Sequence, residues 1–263
     1  MTEIQLGPIV LSSVRFSALV ALTVLVISAQ LAARKQPRLA DWAWNTVFIV
    51  IIGARLGFVI ENLASYRSAP LSIFYIWQGG FSPVWGLVAA LVYSFRIRIG
   101  RAAVPLAVTS LLAWGTATLL TTEPPSETLS LPDQTVHTLS GEPVSLSSQL
   151  GQPLVINLWE PWCLPCRREL PMLADADRAH DNVTFAFVTQ TSGTREVQSF
   201  LQDHGIQAPN IWRSEQSQLG RHFRSYGLPT TLFFSSDGTL QHRHIGEISR
   251  AELDRRLLAL TGD

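Results

Sequence analysis

Apolar residues dominate the first 122 positions, in four stretches. Phe16 to Ala33 runs eighteen residues without a charge, and Trp42 to Ile60 is apolar apart from Arg55. Ser68 to Phe95 carries no charge over twenty-eight residues, although GGFSP, Gly79 to Pro83, interrupts it. Ala102 to Thr122 adds twenty-one more. A bilayer core takes about 20 apolar residues per helix, so the pattern predicts four spans. The ten residues at the start hold Glu3 and no Lys or Arg. A cleaved leader has a positive start and a shorter apolar run, so the first stretch is read as a retained helix.

Beyond residue 122 the period changes. Thr121 to Glu127, TTEPPSE, is polar and Pro-rich, which suits a short stiff tether over 123–127. QTVHTL and EPVSL, around Ser140-Gly141, read as a β-hairpin. PLVINLW, Pro153 to Trp159, and NVTFAFV, Asn182 to Val188, are short apolar runs expected of buried strands. Helical patterns follow the first run to about His180, then cover Glu196 to His204 and a stretch near Gln218 to Tyr226. GLPTTLFF and TLQHRHIG, joined at Ser236-Asp237-Gly238, form a second hairpin. Ser249 with Glu252 three residues on marks the start of a closing helix. The expected architecture is a multi-span α-helical membrane domain, 1–122, and an α/β domain, 128–263, with helices on both faces of a mixed sheet.

Charge sharpens the division. Residues 1–122 hold nine Lys/Arg against three Asp/Glu, and residues 123–263 hold eleven Arg against seventeen Asp/Glu. Neither half offers a basic nucleic-acid surface. Arg34, Lys35 and Arg38 follow the first span, and Arg96, Arg98 and Arg101 the third, whereas the loop between spans two and three offers only Arg67. Basic loops stay in the cytoplasm, so the second half is expected outside it. The spacing Gly53-x-x-x-Gly57 lets helices approach closely. Arg55 is costly in lipid and is expected to face the bundle, a cavity or lipid headgroups.

GARLGFVIENL, Gly53 to Leu63, and APLSIFYIWQGGFSPVWGL, Ala69 to Leu87, resemble part of the prolipoprotein diacylglyceryl transferase family over about residues 50–95. Arg55 and Gly79-Gly80 match that family, but Val84 stands where its motif has a histidine. This half is therefore read as an anchor in contact with membrane lipid rather than as a lipoprotein-modifying transferase.

The chain has two cysteines, Cys163 and Cys166, in WEPWCLPCRRE. Structural zinc needs four ligands, and covalent haem attachment wants a His after the pair, where Arg167 stands. A staple closing so short a loop removes little chain entropy. No metal is expected, and His242 with His244 reads as a solvated strand face. A redox pair fits the position: the first turn of a helix offers unpaired N–H groups and the positive end of its dipole. Both favour thiolate and can bring a thiol from about 8.5 into the range of roughly 3.5–7.5. Cys163 is then the exposed nucleophile and Cys166 the buried resolving thiol.

Asn157-Leu158-Trp159, Trp162-Cys163-Leu164-Pro165-Cys166, Arg168-Glu169-Leu170-Pro171 and Gly227-Leu228-Pro229-Thr230-Thr231 resemble the TlpA/ResA-type membrane-tethered reductases of the thioredoxin superfamily, over about residues 128–261. The resemblance implies a thioredoxin-like domain and a cis Leu228-Pro229 bond packed against the cysteines. It also implies target binding by Trp162, Leu228 and Thr230, and no cofactor beyond the redox-active disulfide. Thioredoxin has a buried aspartate where this chain has Asn157, which cannot take a proton. Glu169, three residues after Cys166, is the expected proton shuttle, and Glu160, read as a surface carboxylate, is the second choice. Trp159 and Trp162 are read first as packing and as a lid.

The expected function is a bacterial inner-membrane thiol–disulfide oxidoreductase whose second half faces the periplasm and reduces disulfide-bearing proteins there, cytochrome c maturation being one setting. The apolar half has no cysteine, so a separate DsbD/CcdA-like membrane donor is expected to recharge it. A disulfide oxidase or isomerase, a lipoprotein-modifying transferase and a metallochaperone are the alternatives.

Overall fold

The computed structural model describes residues 3–6, 9–67, 70–121, 129–214, 218–225 and 227–262. The tether expected at 123–127, and Tyr226, lie outside them. Residues 1–73 and 80–126 form one compact unit, and residues 74–79 with 127–263 form another.

The first unit opens with β1 (Glu3–Leu6) and β2 (Ile9–Ser12), an antiparallel pair absent from the sequence reading. Two four-residue runs around Gly7-Pro8 are a turn signal that the apolar count passes over. Helices α1 (Ser13–Ala33), α2 (Arg38–Glu61), α3 (Leu63–Arg67), α4 (Pro83–Arg96) and α5 (Ala103–Thr121) follow. By length and composition α1, α2 and α5 can cross a membrane. The third expected span is corrected. Residues 70–78 form two 3-10 turns, Gly79 and Gly80 take φ of 82° and 77°, and only then does α4 begin, with Pro83 in its first turn. Those left-handed glycines stop the turn, and Pro can start a helix but not continue one. At fourteen residues, α4 is about 21 Å long, against a hydrocarbon core of roughly 30 Å.

The small residues do what their spacing promises. A Cβ on Gly53 would lie 2.5 Å from the Ala89 Cβ, and one on Gly57 would lie 2.0 Å from the Trp85 ring. Glycine at both positions is what allows α2 and α4 to touch. Arg55 is buried within this unit. It donates to the carbonyls of Ser72, Ile73 and Gly80, each at 3.0 Å, with the Tyr66 and Phe81 rings within 6 Å of its guanidinium. Buried charge is tolerable only when hydrogen-bonded in this way, so Arg55 ties the backbone at Ser72, Ile73 and Gly80 to α2.

In the second unit a seven-stranded mixed sheet has the order β4-β3-β7-β6-β5-β8-β9. Its elements are β3 (Thr135–Thr138), β4 (Pro143–Ser145), β5 (Leu154–Leu158), α6 (Leu164–Ala179), β6 (Thr184–Thr189), α7 (Thr194–Asp203), β7 (Ile211–Arg213), α8 (Gln218–His222), β8 (Thr230–Phe234), β9 (Leu240–Ile245) and α9 (Arg250–Thr261). Strands β5, β6 and β7 run parallel, while β8 and β9 return antiparallel. Side chains alternate across this sheet. Val155, Phe185, Phe187 and Phe233 face α6, α7 and α9, whereas Leu154, Ile156, Val188, Leu232 and Phe234 face Leu146, Leu219 and Phe223. Burying each such side chain contributes about 1.5–3 kcal/mol. Both expected hairpins form, with Gly141 and Gly238 at positive φ. The Ser249 hydroxyl caps α9 by accepting from the Glu252 N–H. Strand β7 is new: three residues, Ile211 to Arg213, are too few to show a period.

The helix contact makes a direct prediction. Gly57→Val should lower the thermal midpoint of the detergent-solubilised full chain, because overpacking costs about 1–3 kcal/mol. Gly115→Ala, where a Cβ meets nothing within 4 Å, should leave it unchanged or slightly higher. Equal effects from the two would discard the close-contact role of Gly57.

Candidate active site

Strand β5 delivers the chain to the cysteines. Past Leu158 the Trp159 N–H bonds the Val188 carbonyl and the Cys163 N–H bonds the Glu160 carbonyl, which turns the backbone into α6. Cys163 is the N-cap, with extended backbone, and its Sγ accepts from the Cys166 N–H at 3.3 Å. Pro165 sits in the first turn, where its missing donor is no loss. The two cysteines are joined as a disulfide. Cys166 is fully buried and Cys163 is 6% exposed, so the order of exposure is as expected but Cys163 is far less open than the sequence reading has it. Trp159, Leu170 and the sheet face pack around the pair.

An open groove of about 730 Å³ runs past Cys163, between Trp162 and Leu164 on one side and Gln190, Gly220 and Leu228 on others. Trp162 and Leu164 stand more than 60% exposed at its rim. The Leu228-Pro229 peptide is cis, and Leu228 packs against the cluster that contains both cysteines. Thr230 departs from expectation. It is fully buried and its hydroxyl donates to the Gly227 carbonyl at 2.7 Å, so its side chain shapes the loop and does not reach the groove.

Glu169 lies one helical turn after Cys166 on α6 and is 2% exposed. Its Oε1 accepts from Asn157 Nδ2 and its Oε2 from the Ile248 N–H, each at 2.8 Å. Asn157 also donates to Thr231 Oγ1. Burial raises the carboxyl from 4.5 to about 8, against the lowering pull of those two donors. Glu247 raises it further and Arg168 lowers it. Near neutral pH this group therefore holds a proton one helical turn from Cys166. Ile248 and Glu247 are 79 residues from α6 in the chain, and no local pattern points to them.

Two expectations about neighbouring polar groups are corrected. Glu160 is fully buried, not on the surface. Its oxygens accept from the N–H groups of Gln190, Thr191 and Ser192 at 2.8, 2.7 and 3.1 Å. That makes it the clasp between the cysteine turn and the loop after β6. His242 is not on a solvated face: its side chain is about 10% exposed, and burial with the neighbouring Arg256 charge pushes the imidazole down to about 3. His242, His244 and Glu252 bring ligand atoms within 4.8 Å of one another, but Arg255 and Arg256 already occupy both Glu252 oxygens.

Two family matches divide the chain where the composition does. Residues 3–118 match the prolipoprotein diacylglyceryl transferase family, a wider span than the resemblance over 50–95, and residues 129–243 match the AhpC/TSA family. The histidine position of the transferase motif is held by Val84, which is exposed in the first turn of α4. The second half is 27% identical over 130 residues to thioredoxin-like protein YneN of Bacillus subtilis, covering 48% of this chain and 75% of that protein. It is 24% identical over 135 residues to the thiol-disulfide oxidoreductase ResA of Bacillus thuringiensis, covering 49% and 76%. A solved disulfide oxidoreductase of Mycobacterium tuberculosis, described as homologous to DsbE of E. coli, is 28% identical with a TM-score of 0.43, covering 49% and 96%.

The buried carboxyl makes stability depend on pH. Its proton is bound in the folded chain up to about pH 8 and lost from the unfolded chain near 4.5. It therefore contributes stability that is full below 4.5 and lost as pH rises through 8. The thermal midpoint of the oxidised full chain should fall across that window, and Glu169→Gln should flatten the fall. An unchanged slope in the variant would refute the burial argument.

Proposed function

We propose that this chain, whose second half is a thiol–disulfide oxidoreductase domain of the thioredoxin superfamily, works as a membrane-anchored reductase of extracytoplasmic protein disulfides. The observation that carries the reading is the layering of the site: Cys163 at the groove, Cys166 sealed behind it, and Glu169 sealed behind Cys166. In the dithiol form, Cys163 thiolate attacks a target disulfide, forming a mixed disulfide and expelling the first target thiolate. The ionised fraction of Glu169, which grows as the pH approaches 8, takes the Cys166 proton, and the Cys166 thiolate then attacks Cys163 Sγ. The second target thiolate leaves and the Cys163–Cys166 disulfide closes. Two electrons have passed to the target, and its thiolates take up protons from Glu169 and from water.

No cofactor other than the cysteine pair is needed for that cycle. A cycle of this kind leaves the enzyme oxidised, and the apolar half has no thiol to relay electrons. A separate membrane dithiol donor of the DsbD/CcdA kind would return the enzyme to its reduced form. The three long apolar helices support a membrane anchor, and the two basic loops support a bacterial inner membrane with the second half in the periplasm. With α4 short, the segment 70–96 as a whole has to return the chain to the cytoplasmic side. Leu228 with its cis-proline neighbour and Trp162 are the groups placed to hold a target strand in the groove.

Thiol trapping in intact cells tests direction: a reductase is expected to have Cys163 and Cys166 mostly reduced, and a pair found oxidised would turn the reading to an oxidase. Cys166→Ser should accumulate mixed disulfides with target proteins, whereas Cys163→Ser should accumulate none. Glu169→Gln should slow release of the second target thiol by roughly a hundredfold, the lower end of general acid–base contributions.

A further inference from the structure

Two consecutive residues of α6 meet two consecutive residues of the turn between β9 and α9. Glu169 accepts from the Ile248 N–H at 2.8 Å. Beside it, Arg168 Nε donates to Glu247 Oε2 at 2.9 Å, and the Nη2 of the same guanidinium reaches the same oxygen. The turn follows Gly246, whose φ is +95° and whose N–H bonds the Pro229 carbonyl. The rung outside is thus an ion pair and the rung inside is the bond to Glu169.

An ion pair whose arginine is half exposed contributes little to stability by itself. Its position gives it another use. The charged groups that act on Glu169 are Glu247, from the turn, and Arg168, from its own helix; from β5 it meets the neutral amide of Asn157. A carboxylate nearby opposes ionisation and a guanidinium favours it. Paired, the two charges largely offset each other at Glu169. Either alone leaves its full effect, and the signs are opposite.

We propose that the Arg168–Glu247 pair is a positioning and balancing device: it holds the Ile248 N–H on Glu169 and sets the pH at which Cys166 surrenders its proton. Neither residue touches a target, and both act through Glu169. The proposal rests on the reading of Glu169 as the proton acceptor.

The test is single-turnover reduction of a disulfide peptide by the pre-reduced full-length enzyme, following release of the second thiol across pH. Arg168→Gln leaves Glu247 without its cation, with Gln78 Nε2 still donating to Glu247 Oε1 at 2.8 Å, and should raise the midpoint of the pH profile by roughly one unit, whereas Glu247→Gln leaves Arg168 without its carboxylate and should lower it by a similar amount. Arg168→Lys, which keeps the charge, should stay near the parent midpoint, and the double variant should return towards it. In a Glu169→Gln background none of these changes should move the profile. A purely structural pair would lower thermal stability in both single variants and leave the midpoint alone, and that result overturns the proposal. If Glu169→Gln itself leaves the profile unchanged, the reading of Glu169 fails instead. Should Glu247→Gln not fold, the Arg168→Gln and Arg168→Lys pair still decides the sign.

Discussion

A carboxyl group closed between a strand, a helix and a turn is the constraint that organises the second half of this protein. Glu169 lies on the inner face of α6, where water cannot pay for its charge, and it meets one amide from β5 and one backbone N–H from the turn before α9. Those donors are too few to keep it ionised at neutral pH, so burial wins and a proton is retained. The same burial puts that proton one helical turn from Cys166. One side chain thus both fills the core and keeps a titratable proton there. The neighbouring strand position is held by Asn157, a donor that can aim the carboxyl without competing for its proton.

The apolar half solves a related problem with different means. Arg55 is a buried cation satisfied by three main-chain carbonyls and two aromatic rings, with no carboxylate among these contacts. Carbonyl groups are available to it only because residues 70–80 are not a regular helix, whose interior carbonyls are already bonded. The broken segment and the buried charge therefore belong together. A Cβ on Gly80 would lie 2.6 Å from Arg55 Nη1 and 2.7 Å from the Phe58 ring, so this glycine leaves room for the guanidinium.

What could be read along the chain was whatever depends on period and punctuation. The strand β5, the cysteine turn, the helix α6 and both hairpins follow from apolar runs bounded by Gly, Pro and Ser, and they formed where their residues placed them. The third span misled because freedom from charge was weighed above Gly79-Gly80 and Pro83, which forbid a continuous helix. Burial of polar groups was the harder class. Glu160 and His242 look like surface residues because their partners, the N–H groups of residues 190–192 and the helix α9, are distant in sequence. The exposed rim at Trp162 and Leu164 and the shut-in Thr230 likewise depend on which strand neighbours which, a property of the closed sheet.

Glu160 binds the N–H groups of Gln190, Thr191 and Ser192, and the Gln190 side chain in turn accepts from the Gly220 N–H at 3.0 Å. These bonds run from the cysteine turn through the loop after β6 to α8, three pieces of chain that border the groove. The walls are tied to one another rather than only to the core beneath them. The width of the slot is therefore fixed by bonds within its own walls, and side chains such as Thr191 and Arg221 line it from that shared frame.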